Sequence, residues 1–179
     1  MKFSKISGWF LLVILSICIS ACSSDSDKED SPTPPAGDSS EIIGYWHYID
    51  NSDEYGKHTE GFYEFRNNNV FMDYNSDEDG VYSDECRYYL DTKAHKLVLW
   101  WEPWEYTVYE VRSISNSSMS IAAYDCDLSE IFGNWNKFDV TTAKECIKYI
   151  ENNSVGTEDA IRLTRSSKSE LDKWIKDNE

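Results

Sequence analysis

The chain has 179 residues and a formal net charge of −16, because 33 aspartates and glutamates outnumber 17 lysines and arginines. A negative surplus of this size repels phosphate backbones, which argues against a nucleic-acid partner, and it disfavours adsorption to an anionic membrane surface. Hydrophobic residues make up 40% of the chain and aromatic residues 15%. These fractions are too high for a fully disordered protein and are sufficient for one folded domain.

Residues 1–21 have the pattern of a signal peptide. Lys2 and Lys5 form a basic start, and an apolar run of 11 residues extends from Trp9 to Ile19. A membrane-spanning helix needs roughly 20 such residues, so the run is too short for a stable span. The pattern predicts an export signal that is removed from the mature protein.

The apolar run ends in a short motif, Ile19-Ser20-Ala21-Cys22. A branched apolar residue, two small residues and a cysteine resemble the lipobox of bacterial lipoproteins. The resemblance implies that the Cys22 thiol is acylated, that the chain is cut before Cys22, and that the new amino group is acylated too. The protein would then be held to a membrane through its N-terminal lipid. An ordinary secretory signal, with no role for Cys22, is the alternative.

Residues 22–40 contain no large apolar side chain and are rich in Ser, Asp and Pro, which predicts a disordered, partly stiff tether. The acidic stretch directly after Cys22 resembles the export signal that sends some Gram-negative lipoproteins to the outer face of the outer membrane. That resemblance implies a location on the cell surface. An anchor on the periplasmic face of the membrane is the alternative.

Residues 41–179 are expected to form one β-rich domain. Short runs of aromatic and β-branched residues alternate with turn residues, which is typical of strands. Eight strands are predicted, at 44–49, 61–66, 70–74, 86–90, 96–101, 104–111, 119–124 and 160–164.

The hairpin around Pro103 predicts how the domain is layered. With proline at the second position of the turn, Trp101 is expected to pair with Tyr106, and Leu99 to face Val108. Both faces of such a hairpin are apolar. Because an antiparallel sheet with one wet face should alternate apolar and polar residues, something is expected to cover the second face.

Two predicted helices are available to cover it. Thr142 and Glu145 have the spacing of a capping box, and Ser167 and Glu170 repeat that spacing before a short C-terminal helix. Residues 125–159 are therefore interpreted as an insertion before the last strand. The first helix has an apolar stripe formed by Ala143, Cys146, Ile147 and Ile150.

The strand order, opened by Gly44-Tyr-Trp46 and followed by a final helix, resembles the lipocalin-like domains of bacterial lipoproteins over residues 42–165. The resemblance implies a mainly β fold: an antiparallel up-and-down barrel of about eight strands with a helical insertion and a short C-terminal helix. Such a barrel holds one small ligand or its own side chains. A two-sheet β-sandwich is the competing fold. The chain departs from the family in the 125–159 insertion and in lacking its downstream motifs.

Trp101, Trp104 and Tyr106 are the candidate ligand-binding residues, because aromatic rings at a barrel mouth can stack on a sugar or enclose an apolar molecule. A packed core is the other explanation of this cluster. The expected function is non-catalytic binding of a small apolar or glycan ligand by a lipid-anchored protein. An acidic accessory lipoprotein that binds a protein partner is the alternative, and a hydrolase is the third hypothesis.

Asn75, Asp77 and Asp79 place oxygen ligands at alternate positions before Gly80, as a calcium-binding loop does. The twelfth position of the loop holds Cys86 instead of the usual glutamate. The pattern indicates either a calcium site or a solvated acidic turn. No other cofactor is expected.

Three cysteines, Cys86, Cys126 and Cys146, remain after Cys22 is acylated and the signal peptide is removed. An odd number leaves at least one thiol without a partner in the same chain. A Cys126–Cys146 disulfide would stabilise the insertion by about 3 kcal/mol in the chain-entropy account. A Cys86–Cys126 pair and a buried free thiol at Cys146 are the alternatives.

Overall fold

The computed structural model describes residues 39–50, 59–101, 105–128 and 139–179. Eight antiparallel strands, each paired with its neighbours in chain order, form a closed up-and-down barrel. They are β1 (Gly44–Asp50), β2 (Thr59–Phe65), β3 (Val70–Asp77), β4 (Gly80–Asp91), β5 (Lys96–Trp101), β6 (Glu105–Ile114), β7 (Ser118–Ala123) and β8 (Ile161–Ser166). The fold class expected from the sequence is confirmed. The sandwich alternative is wrong, because β8 pairs with β1 and closes the sheet.

Helix α1 (Val140–Asn153) lies between β7 and β8, and helix α2 (Lys168–Asn178) follows β8. The two helices pack against different parts of the outer barrel surface, α1 over β5 and β6, and α2 near Phe62 of β2. Within the described ranges, no helix is long and apolar enough to cross a membrane.

The two helices differ in how well the sequence predicted their first turn. Helix α2 begins with the expected reciprocal capping box, in which Ser167 and Glu170 each bind the other's backbone amide. Helix α1 begins earlier than expected, because Asp139 and not Thr142 is its N-cap. The Asp139 carboxylate accepts a hydrogen bond from the Thr142 backbone amide at 2.9 Å.

The end of the barrel where β1 begins and β8 ends is filled by side chains, and we call it the closed end. Ile42 and Trp46 are 0% exposed there. The Trp46 indole donates a hydrogen bond to the Ile42 carbonyl at 2.7 Å. The Arg165 guanidinium lies 4.3 Å from the centre of the Trp46 ring and donates to the Ile43 carbonyl at 2.8 Å. The charge of Arg165 is thus satisfied by an aromatic face and by backbone oxygens.

Aromatic rings fill the middle of the barrel. The ring centres of Phe65 and Phe71 are 4.9 Å apart, and Phe65 meets Tyr88 edge-on at 5.2 Å. Phe71 also meets Trp101 edge-on at 5.7 Å. Contacts of this kind add about 0.5–1.5 kcal/mol per pair beyond the burial of the rings.

Helix α1 covers the outer face of β5 and β6, as the two apolar faces of that hairpin predict. The strands contribute the buried side chains of Val98, Trp100, Tyr106 and Val108. The helix contributes the predicted apolar stripe of Ala143, Cys146, Ile147 and Ile150. Both surfaces of the β5–β6 hairpin are therefore buried, one in the barrel and one under α1.

Candidate ligand-binding site

The register of the β5–β6 hairpin differs from the prediction by one residue. Trp101 pairs with Glu105, and Trp100 pairs with Tyr106. Because side chains alternate along a strand, a shift of one residue moves every β6 side chain to the opposite face. Tyr106 therefore lies on the outer face beneath α1, stacked on Trp100 with ring centres 6.3 Å apart. Tyr109 packs against the barrel interior instead.

The three aromatic residues proposed from the sequence consequently do not form one stacking surface. Trp101 packs against the interior cluster, whereas Tyr106 is only 3% exposed and belongs to the cluster under α1. Both residues line the same cavity, although they lie on opposite faces of the hairpin. Trp104 lies outside the described residues.

That cavity has a volume of about 750 Å³ and lies at the end of the barrel opposite Trp46, which we call the open end. Small-molecule sites typically enclose about 300–1,000 Å³. The lining combines aromatic rings, carboxylates and small or polar side chains, contributed by Trp101, Glu105, Tyr106, Thr107, Tyr109, Ala123, Tyr124, Asp125, Cys126, Asp127 and Glu158.

Polar side chains also face the barrel interior from β1, β3 and β4 in the same half. The Tyr48 hydroxyl donates a hydrogen bond to the Asn75 side-chain oxygen and lies 3.5 Å from the Asp73 carboxylate. Asp73 is paired across the strands with Asp84. Glycine at position 61 makes this arrangement possible, since a Cβ there would lie 2.6 Å from the Tyr48 hydroxyl oxygen.

The pKa values of Asp73 and Tyr109 in this half of the barrel are both raised. Burial raises the pKa of Asp73 to about 6, and the nearby negative charge of Asp84 adds to the increase. Hydrogen bonds to the Asp73 carboxylate act in the opposite direction and are outweighed. Burial also raises the pKa of Tyr109, and the carboxylates of Glu158 and Glu105 raise it further. The interior at the open end is therefore acidic.

Sequence reasoning missed Asp73 as an inward-facing residue, although a signal was present. Phe71, Asp73 and Asn75 occupy alternate positions, so a strand that buries Phe71 must also direct the next two polar side chains inward. The predicted strand included Asp73 but ended at Tyr74, so Asn75 was assigned to a loop and the inward polar row was not recognised.

The residues of the predicted calcium loop lie in and beside a tight turn between two long strands. β3 extends to Asp77 and β4 begins at Gly80, whose φ is +119°. The Asp77 carboxylate accepts a hydrogen bond from the Asp79 backbone amide at 2.8 Å, while Asn75 binds Tyr48. In the described part of the chain, no group of three or more His, Cys, Asp or Glu residues is placed to hold a metal ion.

Cys86, Cys126 and Cys146 are free thiols in the structure, so the expected Cys126–Cys146 disulfide is not formed there. Cys86 is buried in the barrel interior, and Cys146 lies on the buried face of α1. Burial raises the pKa of Cys146 to about 12, which keeps it as an inert thiol. Cys126 is partly exposed and lines the cavity.

A smaller cavity of about 460 Å³ lies between α2 and the outer surface of the barrel. Its charged side chains bind one another: His47 lies 2.7 Å from Glu60, and Lys173 lies 2.6 Å from Asp177. In the larger cavity at the open end, Glu105 and Glu158 form no ion pair with the other described residues.

Comparisons of the chain with models of protein families, with curated proteins and with solved structures found no match. Residues 1–38, which contain the lipobox-like motif and Cys22, lie outside the described residues.

Proposed function

We propose that this protein is a membrane-anchored binding protein whose barrel takes up a small organic molecule at its open end. The observation that carries the proposal is the cavity of about 750 Å³, which lies at the rim of a barrel whose opposite end is tightly packed. A barrel that is packed at one end and has a cavity at the mouth of the other has the geometry of a binding site.

The chemistry of the lining supports a ligand that is partly apolar and partly polar. Trp101 and Tyr109 offer flat aromatic surfaces, while Glu105 and Glu158 offer hydrogen-bond acceptors. A purely aliphatic ligand would leave these carboxylates without partners after displacing water, which costs binding free energy.

The proposal can be tested with a substitution that fills the cavity. Thr107 lines the cavity, and Ser113 is an exposed residue further along β6. We expect 19F NMR screening of fluorinated aromatic fragments, against the full chain in nanodiscs, to find binders with Kd of about 1 mM or tighter. Thr107→Trp should abolish their binding by filling the cavity, and Ser113→Trp should leave it unchanged.

Two results would contradict this proposal. One is that no fragment binds, whatever its charge. The other is that Thr107→Trp binds the same fragments with the same affinities as Ser113→Trp.

The membrane anchor is a proposal that rests on the motif at residues 19–22. We propose that Cys22 is acylated and that the acidic stretch behind it directs the protein to the outer face of the outer membrane. In cells fed an alkyne-tagged fatty acid, Cys22→Ala should abolish labelling of the protein. The matched variant Cys18→Ala, four residues earlier, should remain labelled, and equal labelling of both variants would refute the assignment.

The Asp73–Asp84 pair favours one second candidate function, a hydrolase. A carboxyl whose pKa is about 6 can donate or accept a proton near neutral pH. This candidate predicts turnover of chromogenic glycosides or esters by the wild-type protein and loss of turnover in Asp73→Asn. Absence of turnover across such a panel would leave binding as the function.

A further inference from the structure

The cavity at the open end carries a charge pattern that narrows the class of ligand. We infer, on the basis of the proposed binding function, that the ligand is a small organic cation: an ammonium group attached to an apolar body.

The lining of the cavity is negatively charged. The described residues around the cavity include four carboxylates and no lysine, arginine or histidine. Two of them, Glu105 and Glu158, take part in no ion pair within the described ranges, and the same holds for Asp73 and Asp84. The four carboxylates of the lining are exposed, and their negative charge would repel an anionic ligand and attract a cationic one.

Aromatic rings accompany the carboxylates at the open end. Trp101 and Tyr109 line the cavity, and Tyr82, which is 47% exposed, lies on the same side of β4 as the interior residue Cys86. The faces of such rings attract cations through the ring quadrupole, and a site built from rings and carboxylates is typical of ammonium recognition. Oxygen-only coordination, which suits a metal ion, would not need these rings.

The closed end provides an internal comparison, because the protein places one of its own cations on an aromatic ring there. Arg165 lies over the Trp46 ring at 4.3 Å and binds the backbone carbonyls of Ile43 and Glu41. At the open end, Lys96 lies 5.1 Å from the centre of the Tyr124 ring, but no described cation lies over the rings of Trp101 or Tyr109. A bound ammonium group would fill that role.

The behaviour of Asp73 agrees with this interpretation. Burial and the nearby negative charge of Asp84 raise the pKa of its carboxyl group, because both disfavour the ionised form. A cation bound nearby would stabilise the ionised form.

The test uses two probes of the same shape, choline and 3,3-dimethyl-1-butanol, in which a carbon atom replaces the charged nitrogen. Binding is measured by calorimetry on the full chain in nanodiscs of zwitterionic lipid, with empty nanodiscs as the blank. We expect choline to bind at least about tenfold more tightly than the alcohol. The double variant Asp73→Asn/Glu105→Gln should remove that preference, and Glu85→Gln, at an exposed position of β4, should retain it.

The inference would be overturned if the alcohol bound as tightly as choline or more tightly. It would also be overturned if the double variant kept the full preference for choline over the alcohol.

Failure of the inference is distinguishable from failure of the binding function. If neutral fragments bind in a manner sensitive to Thr107→Trp while choline does not, only the charge assignment is wrong. If no probe binds, both proposals fall. Melting curves of each variant establish that the barrel remains folded.

Discussion

The two ends of the barrel are built from the same strands but differ in chemistry. Trp46 and Phe65, at the closed end, are 0% and 1% exposed, and Phe71 beside them is 1% exposed. At the open end, the inward positions hold Asp73 and Tyr109, and a cavity of about 750 Å³ remains. The comparison indicates that one end supplies most of the packing that stabilises the barrel. The other end is packed less tightly, which leaves space for a binding site.

The largest expected effect is a loss of stability when the packing of the closed end is disrupted. Phe65→Ala removes a buried ring that contacts both Phe71 and Tyr88, so we expect the free energy of unfolding to fall by about 3–5 kcal/mol. Tyr82→Ala at the exposed rim should cost less than about 1 kcal/mol. Urea denaturation measures both values, and similar losses would break the comparison between the ends.

The next effect concerns the charge at the open end. Burial raises the pKa of Asp73 from 3.8 to about 6, so the folded protein holds this proton more tightly than the unfolded chain does. Stability therefore falls as the pH rises from about 4 to 6 and remains lower above pH 6. Asp73→Asn should stabilise the protein by about 3 kcal/mol at pH 8 and have almost no effect at pH 3.5.

Urea denaturation at the two pH values tests this prediction. Glu85→Gln, an exposed substitution on the neighbouring strand, is the control and should show no comparable gain at pH 8. A loss of stability in Asp73→Asn at pH 8 would contradict the prediction that the ionised Asp73 carboxylate destabilises the folded barrel.

A third prediction compares the two ends along one strand. Val111 is 5% exposed and packs in the interior cluster, whereas Thr107 of the same strand lines the cavity. Val111→Phe should cost about 1–3 kcal/mol, because the added atoms have no space. Thr107→Phe should cost less than about 0.5 kcal/mol. Thermal unfolding of the pair measures the difference, and equal costs would indicate that the open end is also packed.

The smallest effect is expected at the start of α2. Ser167→Ala removes the N-cap hydroxyl that accepts from the Glu170 backbone amide, which should cost about 1 kcal/mol. Because this helix start lies at the closed end, affinity for cavity ligands should not change. A loss of affinity equal to that caused by cavity substitutions would show that the two ends are not independent.

The sequence predicts the barrel well because the signal repeats in every strand. Aromatic and β-branched runs recur between turn residues, and each run constrains the same closed sheet. Helix α1 was also predictable as the cover of the β5–β6 hairpin, since Val98 and Trp100 make its second face apolar. The N-cap was harder to assign, because Asp139 and Thr142 are both favourable N-cap residues.

The site was less predictable, for a physical reason in the same hairpin. Both of its faces are apolar, so the alternation that normally fixes strand register gave no preference between two registers. A turn centred on Pro103 then favoured pairing Trp101 with Tyr106, whereas the structure pairs Trp101 with Glu105. That single shift placed Tyr106 beneath α1 and brought Glu105 and Tyr109 to the interior side.

The most direct test of a binding site at the open end is amide chemical-shift mapping of the full chain in nanodiscs during a choline titration. We expect saturable chemical-shift changes around Asp73, Thr107 and Tyr109, with none at Trp46 or Phe65. Shifts centred on the closed end, or no saturable shift anywhere in the barrel, would contradict it.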